Sequence, residues 1–172
     1  HLSNLPTLTF GARGMATVTL TVYGPARDLH SGQYGGAVPN PVHTLAGIIA
    51  SFHDGQGRVA VEGFYDTVRD VPEALREGWA SMGYDEAAFR RSAGGASLVG
   101  ELGYSTPERL WIRPCLDVNG IFGGYTGPGK KTVLPGRASA KVSCRLVPDQ
   151  DPQEVIALLR RHVLRQAPPG VE

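Results

Sequence analysis

Two stretches of strict two-residue alternation constrain this chain more than any other feature. In Met15 to Tyr23, the residues Ala16, Val18, Leu20 and Val22 fall on one face and Thr17, Thr19 and Thr21 on the other. In Arg137 to Val147, the residues Ala138, Ala140, Val142, Cys144 and Leu146 oppose Arg137, Ser139, Lys141, Ser143 and Arg145. Side chains point to alternate faces of a strand, so each stretch predicts a half-buried strand with one apolar and one polar face. A third strand is predicted over Leu110 to Val118, with Ile112, Leu116 and Val118 inward. Pro114 lacks an N–H and places that strand at an edge or a bulge. Arg58 to Val61 supplies a short fourth.

Two helices are signalled by their caps. Asn40-Pro41 sets a capping side chain before a proline at the first helical position, and Val42, Leu45, Ile49 and Phe52 follow at helical spacing. Asp151-Pro152-Gln153-Glu154 repeats that logic ahead of Val155, Ile156, Leu159 and Val163. Between about 62 and 109 the pattern weakens to a partly helical insert, with helical stretches near Val68–Trp79 and Asp85–Arg91. One-sided strands with two amphipathic helices predict an α+β two-layer sandwich. It has a four-stranded antiparallel sheet and two helices on one face, a ferredoxin-like arrangement. With 172 residues, one domain over 1–172 is the natural count.

Charge and composition then exclude several functions. Seventeen basic against sixteen acidic side chains give a net charge of +1, too little to draw nucleic acid or an anionic membrane. No apolar run approaches the length of a membrane span. Two cysteines, Cys115 and Cys144, are too few for a disulfide framework and predict reduced thiols in a cytoplasmic protein. His1 is assigned no role. The turn-like Pro168-Pro169-Gly170 fits a domain taken from a longer polypeptide.

Candidate chemistry is sparse. The histidines at 30, 43, 53 and 162 are scattered, without His-x-Asp, His-x-x-x-His or Glu-Glu spacing, so no metal site is predicted within this chain. Gly124 to Lys130 nearly fits a phosphate loop. However, Lys131 stands where a magnesium-binding hydroxyl is required, and Pro128 removes an N–H donor. Asp28-Leu29-His30-Ser31-Gly32 holds a histidine among glycines between a strand and a capped helix. A Ser31-His30-Asp28 triad is conceivable there, although adjacent residues rarely face one another as nucleophile and base must. Arg145, on the polar face of a strand, suits bidentate recognition of a carboxylate.

In order, the chain carries Pro6-Thr7-Leu8-Thr9-Phe10-Gly11 with Arg13-Gly14, Gly24-Pro25, Asp28-Leu29-His30-Ser31-Gly32, Gly35-Gly36 with Asn40-Pro41, and Gly63-Phe64-Tyr65-Asp66. Then follow Asn119-Gly120-Ile121, Gly129-Lys130-Lys131-Thr132-Val133-Leu134-Pro135 and Arg145-Leu146-Val147-Pro148-Asp149-Gln150. This ordered set resembles the dimerisation (lid) domain of M20 peptidases. That group includes carnosine-type dipeptidases, succinyl-diaminopimelate desuccinylases and aminoacylases, and the set favours the dipeptidase-like branch.

The resemblance implies a lid inserted into a zinc aminopeptidase-like domain, with two lids pairing through helix and edge strand into a homodimer. It implies two zinc ions in the full-length enzyme, held by that other domain, and an isolated lid that hydrolyses nothing. By position, His30 matches the histidine that reaches into the partner subunit's active site and donates a hydrogen bond to the oxyanion. Arg145 matches the arginine that binds the substrate's C-terminal carboxylate. Thr132 matches a threonine that touches substrate across the dimer, and Asn119 a polar substrate contact present in some members. The substrate remains open among a dipeptide, an N-acyl amino acid and a succinylated amine. Two other readings stand beside this one: a standalone homodimerising module, and a small hydrolase built on His30, Ser31 and Asp28.

Overall fold

The computed structural model describes residue 9 and residues 11–172. Of the leading string, Pro6 to Leu8 and Phe10 lie outside the described residues. In chain order the elements are β1 (Gly14–Tyr23), β2 (Leu29–His30), α1 (Ser31–Tyr34), α2 (Pro41–Ala50), α3 (Glu73–Ser81), α4 (Glu86–Ser92) and α5 (Thr106–Trp111). They are followed by β3 (Cys115–Gly123), β4 (Val133–Leu134), β5 (Arg137–Leu146) and α6 (Pro152–Gln166).

Both alternating stretches form the strands they predict. β5 is central and pairs antiparallel with β1 on one side and β3 on the other. Ala16, Val22, Leu116, Ala138, Ala140, Val142, Cys144 and Leu146 are buried on the face that α2 and α6 cover. From the helices come Leu45, Ile48, Val155 and Leu159, joined by Phe52 and Phe64 from the connecting loops. Fully burying each large apolar side chain contributes about 1.5–3 kcal/mol, so this layer carries most of the stability. Cys144 lies within it, where burial pushes its thiol up to about 12. Both cysteines are free.

The predicted caps are in place. Asn40 Oδ1 accepts from the Val42 N–H at 2.9 Å, and Asp151 Oδ1 accepts from Gln153 at 2.6 Å. Gly24 is required where β1 meets α2, because a Cβ there would sit 2.6 Å from Pro41 Cγ.

The expectation of four strands needs correction: the main sheet has three, and β2 with β4 forms a separate two-stranded ladder. Arg58–Val61 is not a strand. His53 and Val59 make one isolated bridge, because the intervening turn is closed by Asp54 Oδ1, which accepts from Gln56 and Arg58. On the outer edge of β1, Tyr23 and Glu172 exchange both backbone hydrogen bonds, at 2.6 and 3.1 Å.

The third strand starts later than predicted, at Cys115. Leu110 belongs to α5, nucleated by the capping box of Ser105 and Glu108 with Pro107 in the first turn. A cap in which Glu108 accepts from both the N–H and the hydroxyl of Ser105 overrides a short apolar pattern. Pro114 does precede an edge strand, and a register shift between Val118 and Gly120 makes Asn119 a bulge.

The insert carries α3, α4 and α5. It is locked down by a buried ion pair in which Arg113 Nε and Nη2 donate to the two Glu101 oxygens at 2.8 Å. The Arg113 guanidinium stacks 4.3 Å from the Tyr104 ring centre, and Trp79, Tyr84 and Trp111 pack edge to face nearby.

Candidate functional site

β2 and β4 are only two residues each, yet they decide the local geometry. Their ladder pairs Leu29 with Leu134 and His30 with Val133, and the Ser31 N–H donates to the Thr132 carbonyl at 3.1 Å. His30 and Thr132, 102 residues apart in sequence, are thereby brought together, with His30 Nε2 3.1 Å from Thr132 Oγ1. The Gly32 N–H donates to His30 Nδ1, also at 3.1 Å. A backbone N–H can only donate, so Nδ1 carries a lone pair and the neutral imidazole holds its proton on Nε2. Nε2–H is then a donor on an exposed residue, with the Thr132 hydroxyl as its resting acceptor.

This two-stranded ladder is tied to the main sheet. Asp28 Oδ1 accepts from the Gly136 N–H at 2.9 Å, and the Gly24 N–H donates to the Gly136 carbonyl at 2.9 Å. Asp28 therefore anchors the turn between β4 and β5 and does not orient the His30 ring, so the local triad of Asp28, His30 and Ser31 lacks its orienting carboxylate. Asp28 was singled out for the imidazole and instead holds Gly136, whereas Gly32 and Asp28 act as positioning residues in ways that spacing alone did not show. The only signal was their place within the Asp28-to-Gly32 string.

Arg145 lies on the polar face of β5, in a row with Met15 of β1 and Cys115 of β3. It is exposed, and among the described residues no carboxylate pairs with it. Arg145 and the β2–β4 ladder lie at opposite ends of the sheet. Arg145 is eight positions along β5 from Arg137 beside the ladder, roughly 27 Å at the rise of an antiparallel strand. Asn119 joins neither end. Its bulge is four residues along β3 from Cys115, roughly 13 Å at the same rise.

Among the described residues, no group of three His, Cys, Asp or Glu side chains converges as a metal site. His162 is buried, its Nε2 2.8 Å from Ser51 Oγ. The loop resembling a phosphate cradle is closed by Tyr125, whose hydroxyl donates to the Pro128 carbonyl at 2.8 Å, and the two-residue β4 follows it where a helix would be needed. No described helix is long and apolar enough to cross a membrane.

Comparison with known proteins adds to this geometry. The sequence profile of the M20 peptidase dimerisation domain matches residues 10–171. The Cys-Gly metallodipeptidase dug1 of Schizosaccharomyces pombe is 31% identical over 164 residues, covering 93% of this chain and 34% of that protein. Among solved structures, human carnosine dipeptidase 1 superposes with a TM-score of 0.82 at 31% identity, over 94% of this chain and 34% of that one. The M20 family metallo-carboxypeptidase Sso-CP2 from Sulfolobus solfataricus gives 0.80 at 37% identity, over 97% and 44%. The chain thus spans about a third of the curated relatives it matches.

Proposed function

The chain belongs to the M20 peptidase dimerisation-domain family, and on that premise we propose that it is the dimerising lid of a metal-dependent dipeptidase or related amidohydrolase. In this reading His30 donates Nε2–H to the oxyanion formed on the scissile carbonyl, Thr132 contacts the same substrate, and Arg145 binds its terminal carboxylate. Asn119 is a further polar contact. The metal, zinc by the family resemblance, belongs to polypeptide outside this chain, since the described residues hold no ligand set. Substrates are small dipeptides or N-acyl amino acids.

The observation that carries the reading is the separation of the two ends. A dipeptide is roughly 7 Å long at about 3.5 Å per residue. With roughly 27 Å of strand between Arg145 and the Arg137 end beside the ladder, His30 and Arg145 act on one such substrate most simply when they come from two copies. Dimerisation then completes the active site. The chemistry fits the groups: a fixed donor aimed where charge develops stabilises the transition state, and loss of one such donor costs about 10²–10³ in turnover.

The test is complementation in the full-length polypeptide. His30→Ala and Arg145→Ala homodimers are each expected to lose activity. Mixed in equal amounts, they form dimers in which one site has both residues intact, restoring about a quarter of wild-type activity by random pairing of subunits. No recovery in verified mixed dimers would show that both residues serve the same subunit's site and would overturn the arrangement across two copies.

A further inference from the structure

A net charge of +1 conceals an asymmetry that the sheet register exposes. On the polar face, β5 presents Arg137, Lys141 and Arg145, whereas the flanking strand positions in register with β5 add a single carboxylate, Asp117 opposite Ser143. At the Arg137 end this face opens into a groove of about 810 Å³, within the size range of small-molecule sites.

Its floor is set by pairing. Tyr23 lies beside Arg137, and Thr21, Ser139 and Phe122 form the next row. Thr21 Oγ1 and Ser139 Oγ are 3.0 Å apart. That bond uses one of their two hydroxyl protons and leaves the other as a donor. Arg27 lines the groove as well, and neither Arg27 nor Arg137 has a carboxylate partner among the described residues. Of the acids lining it, Asp28 is engaged by the Gly136 N–H, and Glu172 is the other. Tyr23 and Phe122, each about half exposed, flank the donors with aromatic surface suited to methylene groups.

Resting on the function proposed above, we infer that this groove receives a side-chain carboxylate on the acyl side of the scissile bond, favouring dipeptides with an acidic N-terminal residue. Asp28 lines the groove and His30 follows two residues later, roughly 7 Å along the strand. A carboxylate held there lies within a glutamyl side chain's reach of a carbonyl at His30, while Arg145 of the other copy takes the far end.

Two measurements test the inference. In ¹H–¹⁵N spectra of the 172-residue chain, glutarate is expected to shift Thr21, Phe122 and Arg137 saturably, and neutral glutaramide is not. Arg27→Gln with Arg137→Gln is expected to weaken glutarate binding about tenfold, the loss of one good charged contact. Equal shifts with both compounds, or none, would overturn the groove as an anion site. In the full-length polypeptide, kcat/KM for Glu-Gly over Gln-Gly is expected to exceed one, and to fall about tenfold in the same double variant while Ala-Gly turnover holds. Glutarate binding with an unchanged Glu/Gln ratio would overturn the acyl-side placement. Full activity in His30→Ala would instead sink the underlying reading of His30, a result separable from either groove measurement.

Discussion

Gly32 fixes the chemistry of His30. Its N–H donates to Nδ1 at 3.1 Å, and a Cβ at position 32 would stand 2.9 Å from His30 Cε1. One small residue thereby sets both the tautomer and the clearance of the imidazole. Gly32→Ala is expected to push the ring off Thr132 and lower turnover of the full-length enzyme by on the order of tenfold or more, approaching the loss of an oxyanion donor. Steady-state kinetics beside a thermal melt checks it, because the residue is exposed and the melting temperature should barely move.

Gln150 is structural. Its Nε2 donates to the Phe64 carbonyl at 2.8 Å, and its Oε1 accepts from the Val147 N–H at 3.0 Å. Gln150→Ala leaves both buried backbone groups unpaired and is expected to destabilise the fold by about 1–3 kcal/mol. Denaturant titration reads this as a lower midpoint at unchanged slope.

The Glu101–Arg113 pair holds the insert. Both residues are about 95% buried, so Glu101→Ala strands a guanidinium away from water and is expected to cost about 3–5 kcal/mol. Replacing both with apolar residues of similar volume should cost much less, since no unpaired charge remains. A double-mutant cycle by chemical denaturation separates the two outcomes.

His162 makes stability depend on pH. Ser51 Oγ donates to the Ile48 carbonyl at 2.7 Å, so it accepts from His162 Nε2–H. Burial, reinforced by Arg165 nearby, holds the imidazole below its ordinary value. Above about pH 6.5 the folded and unfolded chains are both neutral at this position, and the contribution is complete. As pH falls through that value, the unfolded chain takes up the proton first, and stability declines until the folded pKa is reached. His162→Gln is expected to lose less stability than wild type between pH 7 and pH 5, measured by urea midpoints at each pH.

Much of the fold was legible because its signals are short-ranged. The alternation of β1 and β5 and the caps at Asn40 and Asp151 each involve residues within a few positions of one another. The errors have the same origin. Residues 110–118 read as one strand because an apolar pattern cannot show that Ser105, Pro107 and Glu108 have already committed Leu110 to a helix. Residues 58–61 read as a strand because a sequence does not reveal that Asp54 closes a turn too tight to extend.

Sequence by itself determined the strands β1 and β5, the capped helices α2 and α6, the faces they bury, and the ordered strings of an M20 dimerisation domain. Tertiary structure alone decided that His30 meets Thr132, that Asp28 anchors Gly136 instead of the imidazole, that Arg145 lies at the opposite end of the sheet, and that Arg137, Lys141 and Arg145 share one face to which the paired positions of β1 and β3 add a single carboxylate. The reason is physical. Periodicity and capping are settled between neighbours in the chain, whereas the pairing of segments about a hundred residues apart is set by burying apolar faces under α2 and α6 while every strand keeps its register.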